Sequence, residues 1–210
     1  MCIRDRDEAA STFGTLALTG SNVAVTENAA MDLGASTIGG TANFNSTSNV
    51  ITDSGTLAIT GATTINAGTA DITLDQAAST FGALALTGAN VAVTENAATD
   101  LAASTVSGTL GVTSTGAVTD SGTLAITGGT TISASGQDIT LDEAASTFGT
   151  LVLTGANVAV IENAATDLGA STVSGTLGIT SGGAITDSGT LVITGASTFT
   201  NTAGTNDAIT

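Results

Sequence analysis

The chain has 210 residues, 41% of them hydrophobic, with a mean hydropathy of +0.41, which is enough apolar content to bury a core. Five Phe and no Tyr or Trp make that core an aliphatic one. A net charge of −16 opposes binding to nucleic-acid phosphates or anionic headgroups.

Residues 1–6, Met-Cys-Ile-Arg-Asp-Arg, differ from everything that follows. They hold the sole cysteine, Cys2, and the two basic residues, Arg4 and Arg6. The hexapeptide resembles the translation of a transposon mosaic end used in sequencing-library preparation, so residues 1–6 are expected to be an adapter artefact and no part of the fold. Residues 7–210 are then expected to form a single repeat array, a fragment of a longer protein. Eighteen acids less Asp5 leave seventeen, with no base to set against them. The array itself has no cysteine, which excludes disulfides and thiolate chemistry. No run approaches the ~20 apolar residues of a membrane helix.

From Ala9 onward the sequence repeats. Ala-Ala-Ser-Thr-Phe-Gly occurs at Ala9–Gly14, Ala77–Gly82 and Ala144–Gly149. Asn-Val-Ala-Val begins at Asn22, Asn90 and Asn157. Thr-Asp-Ser-Gly-Thr-Leu begins at Thr52, Thr119 and Thr186, 67 residues apart. A fixed period points to a stacked, quasi-one-dimensional architecture. A smaller unit, Gly-Thr-Leu-x-aliphatic-Thr-Gly/Ser, begins at Gly14, Gly55, Gly82, Gly108, Gly122, Gly149, Gly175 and Gly189, with a degenerate copy at Gly40.

Within a unit the side chains alternate. Leu16 and Leu18 share one face, Val23 and Val25 another, and Ile72 and Leu74 alternate with Asp71, Thr73 and Asp75. Period two over about five residues, bounded by Gly and Asn, is the pattern of a half-buried strand. The spacing predicts an all-β parallel β-helix (β-solenoid) of about nine rungs of ~22 residues, three to each 67-residue block. At ~4.8 Å per rung the rod would be of order 43 Å long. Block-equivalent acids (Glu27, Glu95 and Glu162; Asp53, Asp120 and Asp187) would then lie about 14 Å apart on one face, beyond the ~10 Å Debye length at 0.1 M salt.

Catalytic chemistry finds little to work with. Without His, and without Cys, Lys or Arg in residues 7–210, nucleophile–base pairs cannot be assembled. Two-carboxylate glycoside hydrolysis stays formally open, but Asp71 and Asp75, like Asp138 and Asp142, would lie roughly 13 Å apart on a strand. No catalytic, cofactor-binding or metal-binding residue is nominated, and the chain is expected not to be an enzyme. No Ca²⁺-loop motif is present; Asp7-Glu8 and Asp142-Glu143 are adjacent acids at turns, with Gln76 replacing the second acid in the middle copy. Thr63-Thr64 and Thr130-Thr131 bear on ice binding, but no outward Thr-x-Thr recurs at every rung.

The Gly-Thr-Leu-x-Ile-Thr-Gly units followed by Asp-Ile-Thr-Leu-Asp resemble the repeat regions of bacterial filamentous-haemagglutinin-like adhesins of two-partner secretion and of autotransporter passengers. That resemblance implies a right-handed β-helical stalk on the Gram-negative outer surface, secreted and extracellular, with no cofactor. It also implies that cell-surface glycans or proteins are engaged through regions outside these residues. Alternatives are an ice- or calcium-binding β-solenoid, or a carbohydrate-cleaving β-helix. End-to-end self-association is expected if terminal strand edges are left unpaired.

Overall fold

The computed structural model describes residues 12–203, 208 and 209. The hexapeptide and Asp7-Glu8 lie outside the described residues. Those described form a β-solenoid of about nine turns with no helix, and so no helix long and apolar enough to cross a membrane.

The alternation seen in sequence becomes an inside and an outside. Val91 and Val93 point inward while Ala92 points out; Ile72 and Leu74 point inward around the half-exposed Thr73. Strands of two to five residues run parallel to their counterparts in the next coil. Most lie in two long sheets, each a ladder of ten strands with two more branching from its side. The first ladder runs from Thr15–Leu16 to Ile185–Asp187, the second from Val23–Thr26 to Ser197–Asn201. Shorter strands such as Ser36–Ile38 and Leu57–Ile59 supply a third side to the coil.

Inward residues stack on their own kind. Ile51, Ile72, Val91 and Leu110 are successive register partners, as are Val93, Val112, Ile132 and Leu153. Each aliphatic side chain so sealed contributes about 1.5–3 kcal/mol of burial. No single coil could hide its face alone, so stability belongs to the stack. The core is aliphatic as expected, with Phe44, Phe81 and Phe148 added to it.

The coil length differs from expectation. Register advances by between 17 residues, at Thr15↔Asp32, and 24, at Ile185↔Ile209, with a spacing near 20 rather than 22. The consequence for the repeat is larger than the difference suggests. Between Leu84 and Leu141 the main strands alternate sheets: Leu84–Gly88, Thr99–Leu101, Val118–Asp120 and Ile139–Leu141 in the second, Val91–Glu95, Leu110–Ser114 and Thr130–Ser133 in the first. That is seven half-turns per 67-residue block, or three and a half coils instead of three. Because seven is odd, successive blocks land on opposite faces. Val23–Thr26 and Val158–Glu162 lie in the second sheet, whereas their equivalent Val91–Glu95 lies in the first.

The switch is made at a fork. Leu84–Gly88 pairs through Leu84 with Leu101 and through Thr87 with Thr105, so one straight strand abuts a coil that has turned a corner. Leu151–Gly155 does the same with Leu168 and Thr172, on the other sheet.

Candidate functional site

The half-turn offset overturns the expected row of like charges. Glu27 and Glu162 belong to one sheet and Glu95 to the other, so block-equivalent acids alternate faces. Nor do they lie on the surface. Glu27, Glu95 and Glu162 are 0–2% exposed, and Asp53 and Asp120 are 7% and 8% exposed. Strand parity explains it. Val91, Val93 and Glu95 are two apart and share the inward face, as do Ile51 and Asp53, and Val118 and Asp120. That parity is present in the sequence, although a row spaced beyond the Debye length is the arrangement of acids in solvent.

Each buried carboxylate accepts backbone N–H groups that the sheets leave unused. Glu95 Oε1 accepts from the Phe81 N–H at 2.7 Å, and Glu162 Oε1 from the Phe148 N–H at 2.7 Å. Glu27 Oε1 accepts from the Phe13 N–H in the first copy. The Thr166 hydroxyl donates to Glu162 Oε2 at 2.8 Å. Ser79 and Ser146 complete these corners, accepting the Leu57 and Leu124 N–H groups at 3.0 Å through Oγ. The Ala-Ala-Ser-Thr-Phe-Gly and Asn-Val-Ala-Val-x-Glu-Asn runs recur together because they bond to each other: the Asn96 N–H donates to the Ser79 carbonyl, and that of Asn163 to the Ser146 carbonyl.

The Asp pair closes the adjoining turn. Asp53 accepts the N–H groups of Asp75 and Gln76, and Asp120 those of Asp142 and Glu143, at 2.8 and 3.4 Å in both copies. Asp187, the third copy, is exposed. Burial pushes the carboxyls of Asp53, Glu95, Asp120 and Glu162 above their ordinary values, and the N–H donors offset part of the rise.

On the outside, side chains tie one coil to the next. Asp71 Oδ1 accepts both the backbone and the side-chain N–H of Asn90 at 3.0 Å, and Asn90 Oδ1 accepts the N–H and hydroxyl of Thr109 at 3.1 Å. Asp138, Asn157 and Thr176 repeat this ladder one block later, half a turn around. Gly108 and Gly175 are required beneath it, since a Cβ there would meet the Asn90 or Asn157 Oδ1 at 2.4 Å.

The threonine doublets divide between the two surfaces: Thr63 and Thr130 are buried, Thr64 and Thr131 exposed. Thr94, Thr113, Ser133 and Thr154 do form a column of hydroxyls across four coils, but the adjacent outward column is Ala92, Gly111, Thr131 and Val152. A shallow groove of about 320 Å³ runs over the small residues Ala159 and Gly178 between Thr140, Asp142 and Thr198. A second, of about 350 Å³, is lined by Leu168, Ile185, Asp187 and Phe199. Each is lined by a single carboxylate. Among the described residues no three Asp, Glu or Cys side chains group together in a way that could hold a metal ion.

Comparison with known proteins agrees with this periodicity. A family described as "Repeats of unknown function (DUF5649)" matches three times in tandem, over residues 20–87, 88–155 and 155–210. The match boundaries fall close to the forks at which the coil changes face. No curated protein and no solved structure matches the chain. With nearly the whole array matched, the chain belongs to the DUF5649 repeats of unknown function.

Proposed function

We propose that this chain is a structural stalk segment of a secreted or cell-surface bacterial adhesin and performs no catalysis itself. The observation that carries the reading is the unbroken stack of about nine coils, in which every motif of the repeat is spent on holding one coil to the next. The buried acids satisfy backbone N–H groups and the outer Asp–Asn–Thr ladders join neighbouring coils, so the repeated chemistry builds length. The resemblance of its Gly-Thr-Leu-x-Ile-Thr-Gly units to haemagglutinin-like and autotransporter repeats supports a location outside a Gram-negative cell. Ligand recognition, of surface glycans or proteins, falls to regions beyond these coils. All charged side chains among the described residues are carboxylates, which suits a solvated spacer and repels anionic polymers.

The experiment is antibody labelling of intact producing cells, combined with deletion of one 67-residue block from the parent protein. Labelling without permeabilisation is expected, and the projection should shorten by three and a half coils, about 17 Å. Label confined to permeabilised cells would overturn the surface assignment. A purified array that hydrolyses polysaccharide, or binds the target cell by itself, would overturn the spacer assignment.

A further inference from the structure

We propose that mild acid hardens this solenoid: Glu95, Glu162, Asp53 and Asp120, sealed into its wall, destabilise the fold as anions and cease to do so once protonated. Glu95 and Glu162 are 1% and 2% exposed, yet no cation reaches them, because residues 12–203 contain no Lys, Arg or His. Burying a carboxylate without a counter-charge is costly, and one or two N–H donors return only part of what water supplied.

The groups facing each acid are neutral or acidic. Glu95 accepts the Phe81 N–H through Oε1, while its Oε2 and the Thr99 hydroxyl are buried without a hydrogen-bond partner; Glu162 accepts the Phe148 N–H and the Thr166 hydroxyl. The strands on either side of Glu95, Ile72–Leu74 and Leu110–Ser114, bring no charged side chain, and neither do Ile139–Leu141 and Leu177–Ser181 around Glu162. Asp53 is faced by the carboxylate of Asp75, and Asp120 by those of Asp142 and Glu143, which add repulsion. The strands beneath them, Met31–Leu33 and Thr99–Leu101, carry Asp32 and Asp100 at positions of the opposite, outward parity.

The sign follows from the folded state holding these protons more tightly than the unfolded chain does. Where the folded carboxyl titrates above its ordinary value, lowering the pH protonates the folded protein first and favours it; raising the pH through the same window reverses the gain. Most proteins behave oppositely on leaving neutrality, since their buried carboxylates are paired. A protonated Glu95 remains a good fit, because its Oε1 can still accept from Phe81 while the new O–H is free to donate.

The test is thermal unfolding of the whole chain between about pH 7.5 and about pH 5, at low and at high salt. The midpoint should rise by several degrees on acidification, and the rise should persist in high salt, which screens surface charges far more than buried ones. The Glu95→Gln/Glu162→Gln variant imitates the protonated pair. It should be more stable than the parent near neutral pH and lose a clear part of the pH slope. A falling midpoint, a rise abolished by salt, or a variant with the parent's full slope would overturn the proposal. Carboxyl ¹³C titration of the unaltered chain decides independently of whether the variant folds. Midpoints for Glu95 and Glu162 above the ordinary glutamate value support acid hardening, and midpoints at or below it refute it.

Discussion

The six residues Thr119–Leu124 and Thr186–Leu191 are identical, yet the structure treats them differently. Within the stack, Asp120 and Leu124 are buried, and Asp120 caps the turn that carries Asp142 and Glu143. In the last described turn Asp187 is exposed, Leu191 is only partly buried, and Ser197–Asn201 buries none of its residues fully, where its equivalent Thr130–Ser133 buries Thr130 and Ile132. Local sequence therefore selects the strand and its parity, while burial is conferred by a coil on each side. In a solenoid a residue's energetic weight depends on its place in the stack as much as on its identity.

The comparison is broken most directly at the leucines. Leu124→Ala should cost about 2–5 kcal/mol by opening a cavity between two coils, whereas Leu191→Ala should cost about 1 kcal/mol or less. Denaturant midpoints of the two variants measure this, and equal losses would remove the distinction between inner and outer turns. The aspartates sharpen it. Asp120→Ala should cost about 1–3 kcal/mol, because the Asp142 and Glu143 N–H groups lose their acceptor inside the wall, and the Asp142 amide should exchange faster with solvent. Asp187→Ala should stay within about 0.5 kcal/mol.

Glycines give the smallest contrast, within one coil. Gly108→Ala drives a Cβ against Asn90 Oδ1 at 2.4 Å and should cost about 1–3 kcal/mol through the broken Asn90–Thr109 ladder. Three residues on, a Cβ at Gly111 meets only the Val91 carbonyl oxygen at 3.8 Å, so Gly111→Ala should be neutral or stabilising by up to about 1 kcal/mol. Thermal midpoints of the two variants would show whether glycine is needed at the corner alone.

Much of the architecture was legible because period-two alternation and a fixed repeat leave few alternatives. Val91-Ala92-Val93 can bury its valines only as a strand, and copies of such strands can hide them only by stacking. The buried acids were equally available to the same alternation, since Glu95 continues the parity of Val91 and Val93. What conceals them is that an unpaired carboxylate is ordinarily found in water. What the alternation does not carry is the partner, the Phe81 N–H, fourteen residues back in the chain at a corner.

The sequence by itself determined the strand parity, the aliphatic core, the lack of any cation in residues 12–203 and the 67-residue period, because each is a property of composition or spacing. Only the tertiary structure decided how many coils that period spans. Coil length is set where corners close, by Asp53 and Asp120 capping their turns and by Leu84 and Leu151 meeting a fork, and those closures join residues about 17 to 22 apart. A change of about three residues per coil turns three coils into three and a half. The same half-turn moves every repeated side chain to the opposite face of the rod.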